Sequence, residues 1–261
     1  MGEAKATIGR VTQGWVLIDV GNTNVKTGWT IDGELKSVQQ SPVNLPPEQF
    51  LHGIQSGASQ AAIASVNPAA LEAITKNAGS IGLDVRVVLT SDGAIFRSGV
   101  VTTDVTSPET TGVDRVLGCL GAHLKASDGS VVVVDCGTAT TVNVMTADKC
   151  FRGGMIAPGR RLLAQSLRQG TASLPEIIPD AVRIEVGKTT QDCLNAGVTA
   201  AFVGNIRECV AAAKLVFPSA RVFLTGGDAE TAHRFFPEFH RVNWLTLIGL
   251  HWYASNVGRM S

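Results

Sequence analysis

Two stretches of the chain share one grammar suited to holding phosphate: an apolar run that ends in Asp, followed by Gly and small polar residues. The first is Asp19-Val20-Gly21-Asn22-Thr23, with Asn24, Val25 and Lys26 after it. The second is Asp135-Cys136-Gly137-Thr138-Ala139-Thr140-Thr141. Nucleotide phosphates need backbone N–H donors at close range, and Gly permits that approach. Asn and Thr side chains add short polar contacts, an Asp can hold magnesium through its water shell, and Lys26 can offset phosphate charge. One such turn alone reads as a polar hairpin turn. Two, each opening a meander, can clamp the β- and γ-phosphates with a metal between them. Thr225-Gly226-Gly227 supplies a third element, where a double glycine lets an adenosine lie against the backbone.

The acceptor side is centred on Gly112-Val113-Asp114-Arg115, which opens a helix just after Pro108. Asp114 in a first turn complements the helix dipole. It is equally the carboxylate that a kinase needs to accept a hydroxyl proton, with Arg115 beside it to bind an anion in bidentate fashion; the residues alone leave both readings open. Gly153-Gly154-Met155-Ile156-Ala157-Pro158-Gly159 reads as a tight corner, or as a place where backbone approaches a ligand or a second subunit. Thr189 and Asp192 fit a capping box, which leaves Thr190 for other contacts. Gly187-Lys188-Thr189 resembles the tail of a Walker A loop, but its first Gly would fall at Val182. No G-x-G-x-x-G follows a strand, and the histidines show no metal-ligand spacing.

These residues need elements to place them. Trp15–Asp19, Val25–Ile31 and Glu34–Val38 read as a strand meander around the Asp32-Gly33 hairpin signal. Ser41–Pro47 reads as a loop, Ala61–Val66 as a strand, Ala69–Asn77 as a helix and Val85–Leu89 as a strand. Thr111–Ala126 carries Val113, Val116, Leu117, Leu120 and Leu124 on one helical face. The opening pattern then recurs in Val131–Asp135, Thr140–Thr146 and a strand from Cys150. Helices at about 159–169 and 190–214, a strand at Arg221–Leu224 and a helix at about 246–257 follow. The recurrence predicts an internal duplication: an extension over residues 1–13, one α/β domain over 14–118 and a second over 119–261, with the last helix able to pack back on the first.

Composition narrows the class. The chain has 261 residues, with 44% hydrophobic and 17% charged, enough apolar mass for a sizeable core. Lys+Arg and Asp+Glu are both 22, so no global charge favours nucleic acid or a membrane surface. Cys119, Cys136, Cys150, Cys193 and Cys209 form no C-x-x-C pair, so a disulfide framework is not expected and a reducing cytoplasm is. No apolar run reaches the ~18–20 residues of a membrane span.

The ordered set D-V-G-N-T-N-x-K, G-V-D-R, D-C-G-T-A-T-T, G-G-M-I-A-P-G, G-K-T-T and T-G-G resembles the type III pantothenate kinase family, from about Trp15 to Tyr253. The resemblance implies two duplicated actin-like (ribonuclease H-like) α/β domains, each a mixed sheet opening with an antiparallel meander and flanked by helices. It implies ATP-dependent phosphorylation of pantothenate in a homodimer with its active site at the interface. On the same footing, Asp19, Val20, Gly21, Asn22, Thr23, Asn24, Val25, Lys26 and Thr138 would bind ATP. Asp114 would be the base. Gly112, Val113, Asp114, Arg115 and Thr190 would bind pantothenate. Asp135 would hold a monovalent cation, potassium or ammonium, and magnesium would accompany ATP. Two positions depart from the family's pattern: Val113 stands where Ala is usual, and Thr103–Pro108 has no aromatic where a Tyr is common. Another small hydroxy acid as acceptor, or a nucleotide-binding regulatory protein without turnover, are the competing expectations. Retention of Asp19, Asp114 and Asp135 argues against the latter.

Overall fold

A computed structural model describes residues 14–51, 58–127, 129–180 and 182–257; the expected 1–13 extension lies outside them. The chain divides into two compact units between Val87 and Val88, with Ala64–Val66 belonging to the second.

The first unit is a five-stranded sheet of β1 (Gly14–Val20), β2 (Asn24–Ile31), β3 (Glu34–Pro42), β4 (Ala58–Ser65) and β5 (Asp84–Val88), in the order β3-β2-β1-β4-β5. Helices α1 (Pro47–Phe50) and α2 (Pro68–Ser80) accompany it. β1 is a nearly unbroken apolar run and is buried on both faces, as a central strand should be. Val16, Ile18 and Val20 pack with Ile63 of β4 and Ile74 of α2. Asn67 caps α2 by accepting from the Ala70 N–H. The loop expected from Ser41 to Pro47 begins later, because β3 runs through Ser41 to Pro42. A proline is tolerated there, at the end of an edge strand.

The second unit repeats that strand order. β7 (Val131–Cys136), β8 (Ala139–Met145), β9 (Cys150–Pro158), β10 (Arg221–Thr225) and β11 (His240–Arg241) form β11-β10-β7-β8-β9, and β6 (Thr102–Thr103) adds to the β9 edge. β7 to β9 is an antiparallel meander, and β10 runs parallel to β7. The expected corner at Gly153–Gly159 is instead mostly strand. Gly153 takes φ +81° beside a register shift, and Gly154 lies so close to Val142 that a Cβ would meet its carbonyl oxygen at 2.0 Å. The glycines serve strand-to-strand approach rather than a turn.

Helices α3 (Ala94–Arg97), α4 (Val113–Lys125), α5 (Arg160–Gly170), α6 (Thr190–Val216), α7 (Ala229–His233) and α8 (Leu245–Asn256) complete the unit. Strand alternation sends Val132, Val134, Cys136, Val142 and Val144 into one core with Phe202, Val203 and Ile206 of α6. The opposite face carries Asp135, Thr141 and Asn143 and meets α4. α4 runs unbroken through the expected domain boundary at 118/119, because α8 packs along it in this same unit. Among the described residues, no helix is long and apolar enough to cross a membrane.

Candidate active site

The expected site residues fall on both units. In the first, the β1–β2 register sets Asp19 opposite Lys26, so their side chains share a face. Lys26 Nζ donates to Asp19 Oδ2 at 2.9 Å, and Asp19 is only 4% exposed. A buried carboxylate demands such a partner. The connecting turn closes on itself: the Gly21 N–H donates to the Asn24 carbonyl at 3.0 Å, and the Val43 N–H to the Thr23 carbonyl at 2.9 Å. Gly21 is therefore not an open phosphate donor. The exposed part of the turn is Asn22 and Thr23, while Val20 and Val25 are buried and hold its base.

The second turn is held from three sides. The Gly137 N–H donates to the Ala139 carbonyl at 3.1 Å, the Gly159 N–H to the Thr138 carbonyl at 3.1 Å, and the Asp228 N–H to the Cys136 carbonyl at 2.9 Å. Gly226, at φ +92°, lies directly over Asp135: a Cβ there would sit 2.4 Å from Asp135 Oδ1. This is the close approach that the T-G-G motif needs glycine for. Thr138 and Gly137 remain exposed. Burial, and then the charges of Asp135 and Asp228, push the Cys136 thiol up, so it stays protonated and packs as a core residue. Asp135 and the exposed Thr138 both offer oxygen donors, the ligand type that suits a hard cation. Among the described residues, no cluster of three His, Cys, Asp or Glu is present.

Gly112 is the N-cap of α4 and offers no side-chain cap. Asp114 compensates by turning back: its Oδ1 accepts the Arg115 N–H at 2.8 Å. The Arg115 Nε donates to Asn143 Oδ1 at 2.7 Å, and the Asn143 amide donates to Thr141 Oγ1 at 2.8 Å. Arg115 also lies 5.7 Å from the Phe151 ring centroid. Burial lowers the Arg115 pKa, against the opposing pull of Asp114, but the guanidinium stays charged at neutral pH. Val113 is buried, so its two extra methyl carbons do not line an exposed surface. The stretch without an aromatic docks on β9: Asp104 pairs with Arg152 at 3.0 Å, and Val105 packs against Gly153. Thr190 is exposed at the start of α6, behind the Thr189–Asp192 capping box, which forms as expected.

Two groups escaped sequence reasoning. Arg160 is 4% exposed, and its guanidinium bonds to Asp228 Oδ1 at 3.0 Å and to the Pro179 carbonyl at 2.6 Å. It thereby ties the turn after T-G-G to the segment leading towards Thr190. Its only sequence signal is a doubled Arg where α5 begins. Asn143 had none beyond a polar residue inside an apolar strand.

The model of the type III pantothenate kinase family matches residues 15–212. The chain belongs to that family. A type III pantothenate kinase from Alkalilimnicola ehrlichii is 32% identical over 243 residues, covering 86% of this chain and 90% of that one. One from Idiomarina loihiensis is 29% identical over 262 residues, covering 93% and 99%. One from a Janthinobacterium species is 38% identical over 149 residues; that match spans 56% of this chain and little more than half, 57%, of the relative. Among solved structures, a Campylobacter jejuni protein of the Baf family superposes with a TM-score of 0.60 at 20% identity, covering 92% of this chain and 98% of that one. The Listeria monocytogenes protein Lmo2764, whose name proposes an N-acetylmannosamine kinase, gives 0.51 at 13% identity, covering 92% and 98%. At these identities the likeness shows the fold: two α/β units of the actin-like, sugar-kinase type, as expected for type III pantothenate kinases.

Proposed function

We propose that this protein transfers the γ-phosphoryl group of ATP to the primary hydroxyl of pantothenate, giving 4'-phosphopantothenate at the start of coenzyme A synthesis. The observation that carries the reading is the duplicated acid-ended turn, present once in each unit of a chain matched by the family model over residues 15–212. In this reading the 19–26 turn and Thr138 hold the ATP phosphates, whose charge Lys26 and the accompanying magnesium offset. Asp135 holds potassium or ammonium. Gly112–Arg115 and Thr190 bind pantothenate. Asp114 takes the proton of the attacking hydroxyl as the phosphoryl group arrives in line. The protein acts as a homodimer, supported by the exposed apolar Ile156 on β9 and Leu162 on α5. Five free cysteines support a cytoplasmic setting.

A second acceptor, another small hydroxylated acid, is favoured by one observation: Val105 packs on Gly153 in the stretch where an aromatic is usual. A coupled assay of ADP release against a panel of hydroxy acids separates the two. Pantothenate should give the highest kcat/KM of the panel; a different acid well ahead of it would move the acceptor, and no turnover with any would favour a binding protein. Asp114→Asn tests the base. It keeps the Oδ1 that accepts the Arg115 N–H, so α4 should survive, while kcat should fall roughly 10²–10⁴-fold. A kcat within a few-fold of wild type would make Asp114 a structural cap.

A further inference from the structure

We infer that Asn143 is a positioning residue for the acceptor site: it fixes the Arg115 guanidinium through Nε and leaves the terminal fork facing the acceptor. The inference rests on the acceptor role proposed above for Gly112–Arg115. Asn143 is 1% exposed on β8, in a strand otherwise rich in apolar residues. A buried amide is costly unless both ends are bonded. Here its oxygen accepts from Arg115 Nε at 2.7 Å, and its nitrogen donates to Thr141 Oγ1 at 2.8 Å.

Two features make this more than a satisfied core polar group. The bond is to Nε, which leaves the two Nη groups and their end-on fork for a carboxylate. The acceptor is also a neutral carbonyl, which orients the cation without cancelling it. The Phe151 ring, 5.7 Å away, supports the guanidinium as well. Arg115 is thus held by groups that fix direction and preserve charge, which is what recognition of an anionic acceptor requires.

The chain of bonds also has an end point. Thr141 is the register partner of Asp135 across β7 and β8. The first turn of α4 is therefore linked through Asn143 to Thr141, which stands beside Asp135 in the strand register, within one unit.

The test compares Asn143→Leu, Asn143→Ser and Asn143→Asp. Leu removes the acceptor at similar size, and Ser is too short to reach. Asp keeps an oxygen for Nε, with the Thr141 hydroxyl rotating to donate. Steady-state kinetics of the full protein with ATP and pantothenate should show KM for pantothenate raised about 10- to 100-fold in the Leu and Ser variants, the range for a hydrogen bond to a charged group. KM for ATP should stay within twofold, and the Asp variant should recover only part of the loss, because its carboxylate holds Nε but offsets the guanidinium charge. A parallel rise in both KM values, or an unchanged pantothenate KM in the Ser variant, would overturn the assignment.

A readout independent of turnover is the slowly exchanging Arg Nε–H signal in the ¹⁵N NMR spectrum, assigned by its loss in Arg115→Lys. It should vanish in Asn143→Ser and persist in Asn143→Asp. Its persistence in Asn143→Ser would overturn the inference. If wild type does not use pantothenate, the proposed function fails, while this signal still decides whether Asn143 fixes Arg115.

Discussion

Replacing Gly249 by Ala tests how α4, which carries Asp114 and Arg115, is held. α4 and α8 cross with backbone against backbone. A Cβ at Gly249 would lie 2.0 Å from the Leu117 oxygen, 2.8 Å from its carbon and 3.0 Å from the Gly121 nitrogen. The reverse contact is as tight, since a Cβ at Gly121 would lie 2.1 Å from the Leu245 oxygen. Non-bonded heavy atoms rest at roughly 3.5–4 Å, so the helices must part by about 1 Å or more. No flexible side chain can yield instead, which places the cost near the upper end of the ~1–3 kcal/mol for overpacking. Removing a helical Gly returns up to ~1 kcal/mol. The net loss is about 2 kcal/mol, a melting point lower by roughly 4–8 °C for a chain of this size. Gly197 is the control, because it lies exposed on α6 with open space where a Cβ would go. Gly197→Ala should raise the melting point by about 2–4 °C. Calorimetry of both variants decides the matter: a Gly249→Ala protein melting at or above wild type would mean that the helices do not meet at Leu117.

Thr189→Ala removes the side chain that accepts the Asp192 N–H in the α6 capping box; a loss of about 1 kcal/mol, or roughly 2–4 °C in melting point, is expected. His251 on α8 has its pKa lowered by burial, so below about pH 6.5 the unfolded chain binds a proton that the folded chain refuses, and stability falls with falling pH. Melting curves from pH 7.5 to 5 should show that slope, and His251→Gln should flatten it; an identical slope in the variant would reassign the effect. Turnover should drop sharply when potassium and ammonium are replaced by a bulky organic cation, and Asp135→Asn should be insensitive to the exchange. Full activity of wild type without a small monovalent ion would remove the role given to Asp135.

Both meanders are legible in sequence because each combines an apolar run, a Gly-containing polar turn and an alternating strand, and local signals of this kind survive into the fold. The capping box at Thr189 is legible for the same reason. The Gly153–Gly159 stretch misleads because Gly and Pro signal turns in isolation, whereas here Gly154 is required by the Val142 backbone on a neighbouring strand. β6 and β11 are two residues long and carry no period to detect. The pairings of Arg160 with Asp228 and of Arg115 with Asn143 join residues 68 and 28 positions apart. Nothing local marks them, since each depends on which strand faces which helix. The expected boundary at 118/119 fails for a related reason: a helix looks the same in sequence whichever unit it packs on.

The duplication is most informative where its two copies differ. In the first, the residue opposite Asp19 is Lys26; in the second, the residue opposite Asp135 is Thr141. Both pairs connect the first two strands of their meanders across a short polar turn. Lys26 delivers an ammonium to within 2.9 Å of its carboxylate, whereas Thr141 delivers a hydroxyl that already accepts from Asn143. One copy thus sets a tethered ammonium against its carboxylate, and the other sets a hydroxyl-bearing residue at the same register position. An aspartate beside hydroxyls and main-chain carbonyls favours a small, hard, exchangeable cation over a tethered one. The divergence between two copies of a single hairpin is therefore the structural support for the monovalent-cation role proposed above for Asp135.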